Sequence, residues 1–194
     1  MPDNDFGYTM WGKDWVRLAE PLRQTRPDPQ LPRARRIARD GRVQITIDGR
    51  IVRAVVHRGR NTSVANIEVA PMSREAIVGI SRQLCGVRPV LTDELYRALT
   101  DAGHRPAPTL VGVDCSCSCS CSCSCSADTP RCIHVLAAYY EVARLVDDDP
   151  RIALDIQDFF RASSDSTEVP TAVTPQRWIA LNALNPADYF MAPK

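Results

Sequence analysis

Cys-Ser-Cys-Ser-Cys-Ser-Cys-Ser-Cys-Ser-Cys-Ser fills residues 115–126, and Cys132-Ile133-His134 follows across the turn Ser126-Ala127-Asp128-Thr129-Pro130-Arg131. In an extended chain successive side chains point to opposite faces, so the six thiols share one face and the serines the other. The last pair, Cys123 and Cys125, joins Cys132 and His134 to offer three soft sulfurs and one imidazole, a donor set that suits tetrahedral zinc. Val135, Leu136, Tyr139, Val142, Ala143 and Val146 recur at helical period, which puts Cys132 and His134 at a helix start. Residues two apart on a continuous helix are turned about 200° from each other. Both therefore reach one ion only if Cys132 lies ahead of the first full turn. The positive end of the helix favours thiolates there. A set of four protein ligands leaves no open position for water, so the expected role of the ion is structural and no enzymatic activity is expected.

With 194 residues, 44% of them hydrophobic and 24% charged, the chain is long enough for one substantial globular domain, or one domain with a tail. Its eight cysteines raise the alternative of disulfides. The opening Met1-Pro2-Asp3-Asn4-Asp5 has neither a basic start nor an apolar run, which predicts a chain without an export signal, held in a reducing cytoplasm. Neighbouring C-x-C positions also make strained disulfide partners, so metal thiolates fit better. No apolar stretch approaches the roughly 20 residues of a membrane helix, and no membrane association is expected. Charge is uneven: residues 1–60 hold 13 Lys/Arg against 7 Asp/Glu, and residues 141–194 hold 5 against 9. A basic front and an acidic back point to an anionic partner at one end, although a solvated face has the same composition.

Taken in order, Trp11, Trp15, Leu18 and Leu22 recur at helical spacing and read as a stripe facing a core. Pro32-Arg33-Ala34-Arg35-Arg36-Ile37-Ala38-Arg39 reads as a second helix, opened by proline and stopped at Asp40-Gly41. Its Arg35, Arg36 and Arg39 are candidate phosphate contacts for a nucleic acid. Val43, Ile45 and Ile47 then alternate with polar residues up to the turn Asp48-Gly49. Ile51 to Val56 returns, Gly59-Arg60-Asn61 turns again, and Val64 to Val69 makes a third run, together a small antiparallel sheet. Its strands lack the aromatic residues on which single-stranded nucleic acids stack, so it reads as scaffold. Ser73 and Thr92 cap two further helices, one with Ile77, Ile80 and Leu84 and one with Leu95, Tyr96 and Leu99 stopped by Gly103. Cys85 reads as a small buried hydrophobe. His57 and His104 read as loop or strand-end residues with no catalytic companion nearby in sequence. Thr109 to Val113 reads as a short strand leading to the cysteines.

Beyond the repeat, Asp149-Pro150 opens a helix with Ile152, Ile156, Phe159 and Phe160 on one face. Asp147-Asp148-Asp149 reads as that helix's cap plus a solvated corner. From Ala162 the composition predicts a flexible link to about Val173, then a short helix with Trp178, Leu181 and Leu184.

The spacing C-x-C, a variable gap, then C-x-H resembles the SWIM zinc finger family. Cys123, Cys125, Cys132 and His134 match its four ligand positions. More loosely, Phe6-Gly7, Trp11-Gly12, Trp15-Val16, the Pro32-Arg33-Ala34-Arg35 segment and Tyr139-Tyr140 look like actinobacterial SWIM-containing proteins, over roughly residues 6–161. The resemblance implies bound zinc, a role in binding DNA or proteins, and association with a helicase-like ATPase of the remodelling superfamily.

The repeat departs from that family, because one C-x-C suffices and Cys115, Cys117, Cys119 and Cys121 are surplus. An extended strand advances about 3.3 Å per residue, so a run of this length spans far more than one zinc with sulfur bonds of about 2.3 Å. Three readings stay open: a neutral expansion bulging out beside Asp114, a register exchange in which Cys115 and Cys117 replace the last pair, and a multimetal thiolate cluster. The last belongs to a different class of protein, one that handles metals or senses redox state. The expected fold is α+β, a small antiparallel sheet with helices. It divides into an aromatic and basic helical segment (1–41), the sheet with two helices (42–107), a zinc-binding hairpin-helix module (108–161) and a flexible tail (162–194).

Overall fold

Two hairpins with two-residue turns set the sheet. The computed structural model describes residues 6–22, 28–84, 90–108, 113–119 and 131–165, with the backbone alone for 113–119 and 164–165. Strand β1 spans Val43–Asp48, β2 Ile51–Arg58 and β3 Asn61–Val69. Gly49 and Gly59 adopt φ of 53° and 62°, the left-handed conformation that such tight turns require and glycine adopts without strain. Asp48 opposite Ile51 and Arg58 opposite Asn61 close the two turns. The third strand thus starts three residues earlier than its apolar run, because ladder pairing begins as soon as the turn ends. A fourth strand, β4 (Val113–Cys119), pairs antiparallel with β3, giving the order β1-β2-β3-β4 with β4 at an edge. The expected strand ended at Val113; here that residue begins the strand, and the first half of the Cys-Ser run continues it. Residues 109–112 lie outside the described residues.

One face of the sheet is covered. Ile45, Ile47, Val52, Ala54, Val56, Ala65 and Ile67 alternate inward along the three hairpin strands. Across that face runs α5, Ile133–Asp148, in contact with all four strands. A stripe of apolar residues on α5 predicts one buried side, but it is buried at every position from Ile133 to Ala143. The reason lies at the other end of the sequence: α1 (Met10–Ala19) and α2 (Leu31–Arg39) also pack on it. Trp11 and Trp15 of α1 are wholly enclosed, 1% and 0% exposed. Leu22, placed on the same stripe by its spacing, instead lies past the end of α1 and is 86% exposed.

Local signals set the remaining helices. In α3 (Arg74–Gln83) the hydroxyl of Ser73 accepts from Ala76 N, and in α4 (Asp93–Asp101) that of Thr92 accepts from Leu95 N. Both caps satisfy an otherwise orphaned N–H. The helix expected after Pro150 is broken in two, α6 (Arg151–Asp155) and α7 (Phe159–Asp165), at Asp158 with φ 59°. The carboxylate of Asp158 pairs with Arg50 Nε at 3.3 Å, which ties the break to the first hairpin turn. The chain stays helical past Ala162, the expected start of a flexible link. The remaining tail, with Trp178, Leu181 and Leu184, lies outside the described residues, as does Cys85. The fold is α+β, seven helices among the described residues around an antiparallel sheet, and a single apolar core draws on all seven helices and the sheet. Among the described residues no helix is long and apolar enough to cross a membrane.

Asp147 is not part of a solvated corner. It is 6% exposed, and its carboxylate accepts hydrogen bonds from Gly7 N (2.6 Å), Tyr8 N (3.3 Å), Thr9 N (2.9 Å) and Thr9 Oγ1 (2.7 Å). A buried carboxylate is tolerated only when so satisfied. This one fastens the residues preceding α1 to the far end of α5. A methyl group at Gly12 would run into the same carboxylate, which explains the glycine inside α1. Asp147→Ala strands those donors, and the expected loss is about 2–4 kcal/mol in urea unfolding. A midpoint unchanged from wild type contradicts this role.

Candidate metal centre

The register of β4 decides where the cysteines of the run fall. Cross-strand rows join Val43, Val56, Ser63 and Cys119; then Ile45, Ala54, Ala65 and Cys117; then Ile47, Val52, Ile67 and Cys115. Directly opposed residues in an antiparallel pair belong to one face. Cys115, Cys117 and Cys119 therefore occupy register positions of the covered face, and Ser116 and Ser118 those of the other. Pairing with β3 is unbroken from Val113 to Cys119. A bulge beside Asp114 is thus excluded for these three cysteines, since it would forfeit ladder hydrogen bonds that the strand makes.

At the start of α5, Cys132 is the N-cap residue, with an extended backbone at φ −72° and ψ 160°. It thus stands ahead of the first full turn, as shared ligation with His134 demands. Its Sγ lies 3.5 Å from Val135 N, accepting one of the orphan N–H groups of the helix start, and the residue is 2% exposed. His134 is fully enclosed. Burial pushes its pKa below the ordinary histidine value, and the positive charges of Arg58 and Arg33 push in the same direction. The neutral imidazole, the form that binds a metal, is thereby favoured. A sulfur and an imidazole two residues apart at one helix start fit a zinc ion by donor type. Cys123 and Cys125, the other two predicted ligands, lie outside the described residues, as does Cys121. Among the described residues no three His, Cys, Asp or Glu side chains gather into a metal-sized group.

The three candidate phosphate contacts separate. Arg35 turns inward: it binds Glu20 through Nε (3.0 Å) and Nη2 (2.5 Å) and donates to Tyr140 Oη at 3.2 Å. Its guanidinium also lies over the Tyr140 ring, 5.3 Å from the centroid. Tyr140 in turn donates to Glu20, and burial first, then Glu20, raises its pKa. This triad locks α1, α2 and α5 together. Arg36 and Arg39 are exposed, with Arg36 4.0 Å from Asp40. Arg58 and Arg33, whose charges act on His134, were not singled out by sequence. Arg58 shares strand parity with Val52, Ala54 and Val56, a signal that marks it as inward-facing.

The other two histidines form no relay. His57 Nδ1 is 3.5 Å from Thr62 Oγ1. The ring of His104 packs where Gly79 leaves room, in a cleft of about 590 Å³ that Ser73, Glu75 and Arg105 also line. No family model, curated protein or solved structure matches the chain.

The dipeptide period of the run makes a discriminating variant possible. A deletion of Cys115–Ser118, an even number of residues, refills the β4 register with the same faces. Deletion of Ser116 alone flips every later residue to the opposite face. The first variant is expected to melt within a few degrees of wild type; the second is expected to lose about 2 kcal/mol or more, as hydroxyls enter the covered face. Equal stability of the two in thermal melts contradicts the register.

Proposed function

We propose that the chain is a zinc-stabilised adaptor of the SWIM type, in which Cys132 and His134 bind one ion together with a C-x-C pair of the Cys-Ser run, Cys123 and Cys125 by the family spacing. The observation that carries this reading is the start of α5, where an N-cap cysteine in extended conformation precedes a wholly enclosed histidine by two residues. The same helix holds the core together. Bound zinc supplies folding free energy there by cross-linking the run that follows β4 to the first turn of α5. Cys132 ends the loop and caps the helix, while His134 presents a neutral ring from an enclosed position. The adaptor's partner is DNA, or a protein assembled on DNA such as a helicase-like ATPase. What supports an anionic partner is the basic N-terminal third and the exposure of Arg36 and Arg39 on α2.

Two measurements test this reading. Zinc analysis of the purified chain is expected to give about one ion per chain. His134→Ala and Cys132→Ala are expected to bind none and to melt well below wild type, as the chelated wild type does. Several ions per chain favour the thiolate-cluster alternative instead, and an unaltered melt in both variants rules out a structural ion. For the partner, direct DNA binding weakens steeply with salt. The double variant Arg36→Gln, Arg39→Gln lowers the slope of log affinity against log salt by about 2. Salt-insensitive binding contradicts phosphate contacts.

A further inference from the structure

Apart from the metal centre, three segments are tied together around the cleft of about 590 Å³, a volume typical of small-molecule sites. They are the approach to α3, the loop after α4 and the turn between α6 and α7. Met72 N donates to Gln157 O at 3.0 Å, and Gln157 Nε2 donates to Pro106 O and Ala153 O, both at 2.7 Å. The walls are thereby fastened to one another. A further wall is the His104 ring, which fills the space that a side chain at Gly79 would take.

The polar groups of this cleft are of two kinds. On the donor side stands the start of α3, where the Ser73 hydroxyl accepts from Ala76 N at 3.2 Å and keeps its own proton to give. The N–H groups of Arg74 and Glu75, which the helix cannot satisfy internally, have no acceptor among the described residues. Arg105, exposed at the rim, adds a guanidinium. This side calls for an anion. On the acceptor side lies Gln157, only 4% exposed. Two carbonyl neighbours identify its amide nitrogen and use both of its protons, so Oε1 has no partner among the described residues. That oxygen is not sealed inside the protein either, and so opens to the cleft that Gln157 lines. The exposed Glu75 carboxylate lines the same space. Among the described residues neither Glu75 nor Arg105 enters an ion pair, with each other or with a third group.

A simple anion would leave Gln157 Oε1 unanswered and meet repulsion from Glu75, and a simple amine would leave the start of α3 and Arg105 unanswered. One molecule carrying both charges answers all of them. We propose that the cleft is a binding site for a small zwitterion, a free amino acid or short peptide, its carboxylate on Arg105, Ser73 and the start of α3 and its ammonium on Gln157 Oε1 and Glu75. The site is independent of the zinc reading.

Ligand titration of the full chain tests this, with free amino acids and a panel of dipeptides as probes and with acetate and methylamine as single-charge controls. Saturable binding is expected for at least one class of zwitterion at millimolar concentration or below, and about 10-fold weaker binding, or none, for either control. Arg105→Gln and Glu75→Gln, both at exposed positions, are expected to keep the wild-type melt and to weaken binding about 5-fold each. Derivatives of the probe separate its two ends. Amidating the carboxylate costs the wild type more than it costs Arg105→Gln, and acetylating the amine costs the wild type more than it costs Glu75→Gln. Binding of amino acids alone assigns that source of the zwitterion, and binding of dipeptides alone assigns the other. A chain that binds no zwitterion, binds acetate as tightly, or keeps wild-type affinity in both variants overturns the proposal. None of these readouts depends on bound zinc, so the two proposals fail separately.

Discussion

From Ile133 to Ala143 α5 is buried at every position, and a helix so enclosed needs its polar groups answered by neighbours, a constraint it imposes on the whole molecule. The sheet covers it from one direction, α1 and α2 from others. Its polar residues are matched one by one. Asp147 takes the N–H groups ahead of α1, and Tyr140 meets Glu20 and Arg35. Glu141 receives Arg144 at 2.5 Å. His134 sits at the beginning of the same helix, fully enclosed. The Asp147 and Tyr140 matches join α5 to the residues ahead of α1, to its C-terminal end and to α2, so the helix works as the axle on which the rest of the fold is mounted.

The two ends of that axle are held by different chemistry. At its C-terminal end a carboxylate gathers main-chain N–H groups from residues almost 140 positions away in sequence. At its N-terminal end the groups are a buried thiol and an enclosed imidazole. A polar network suffices for the first end. The second sets soft donors at the positive end of a helix, the setting that the proposed zinc site requires. The edge strand β4 brings Cys115, Cys117 and Cys119 into the sheet.

Features that depend on a few neighbouring residues were legible in sequence. The glycine turns at Gly49 and Gly59, the caps at Ser73 and Thr92, and the helix after His134 need only local sterics and hydrogen bonding to form. So did the requirement that Cys132 precede the helical turn of His134, which is pure helix geometry. Features that depend on a distant partner were not legible. Asp147 reads as one of three exposed aspartates until Gly7 and Thr9 arrive from the other end of the chain. Arg35 reads as a free surface cation until Tyr140 and Glu20 engage it. The all-round burial of α5 follows from α1 and α2, whose own stripes say only that they face something apolar. Half of the candidate ligand set, Cys123 and Cys125, rests on spacing alone.

The central claim is a single ion held by sulfur and nitrogen donors at the start of α5, and its coordination shell is open to direct measurement. X-ray absorption at the zinc edge on the metal-loaded chain is predicted to show three sulfurs at about 2.3 Å and one nitrogen at about 2.0 Å. The nitrogen scattering is predicted to vanish in His134→Ala. An all-sulfur shell with zinc–zinc scattering, or a shell of oxygens, would contradict the account.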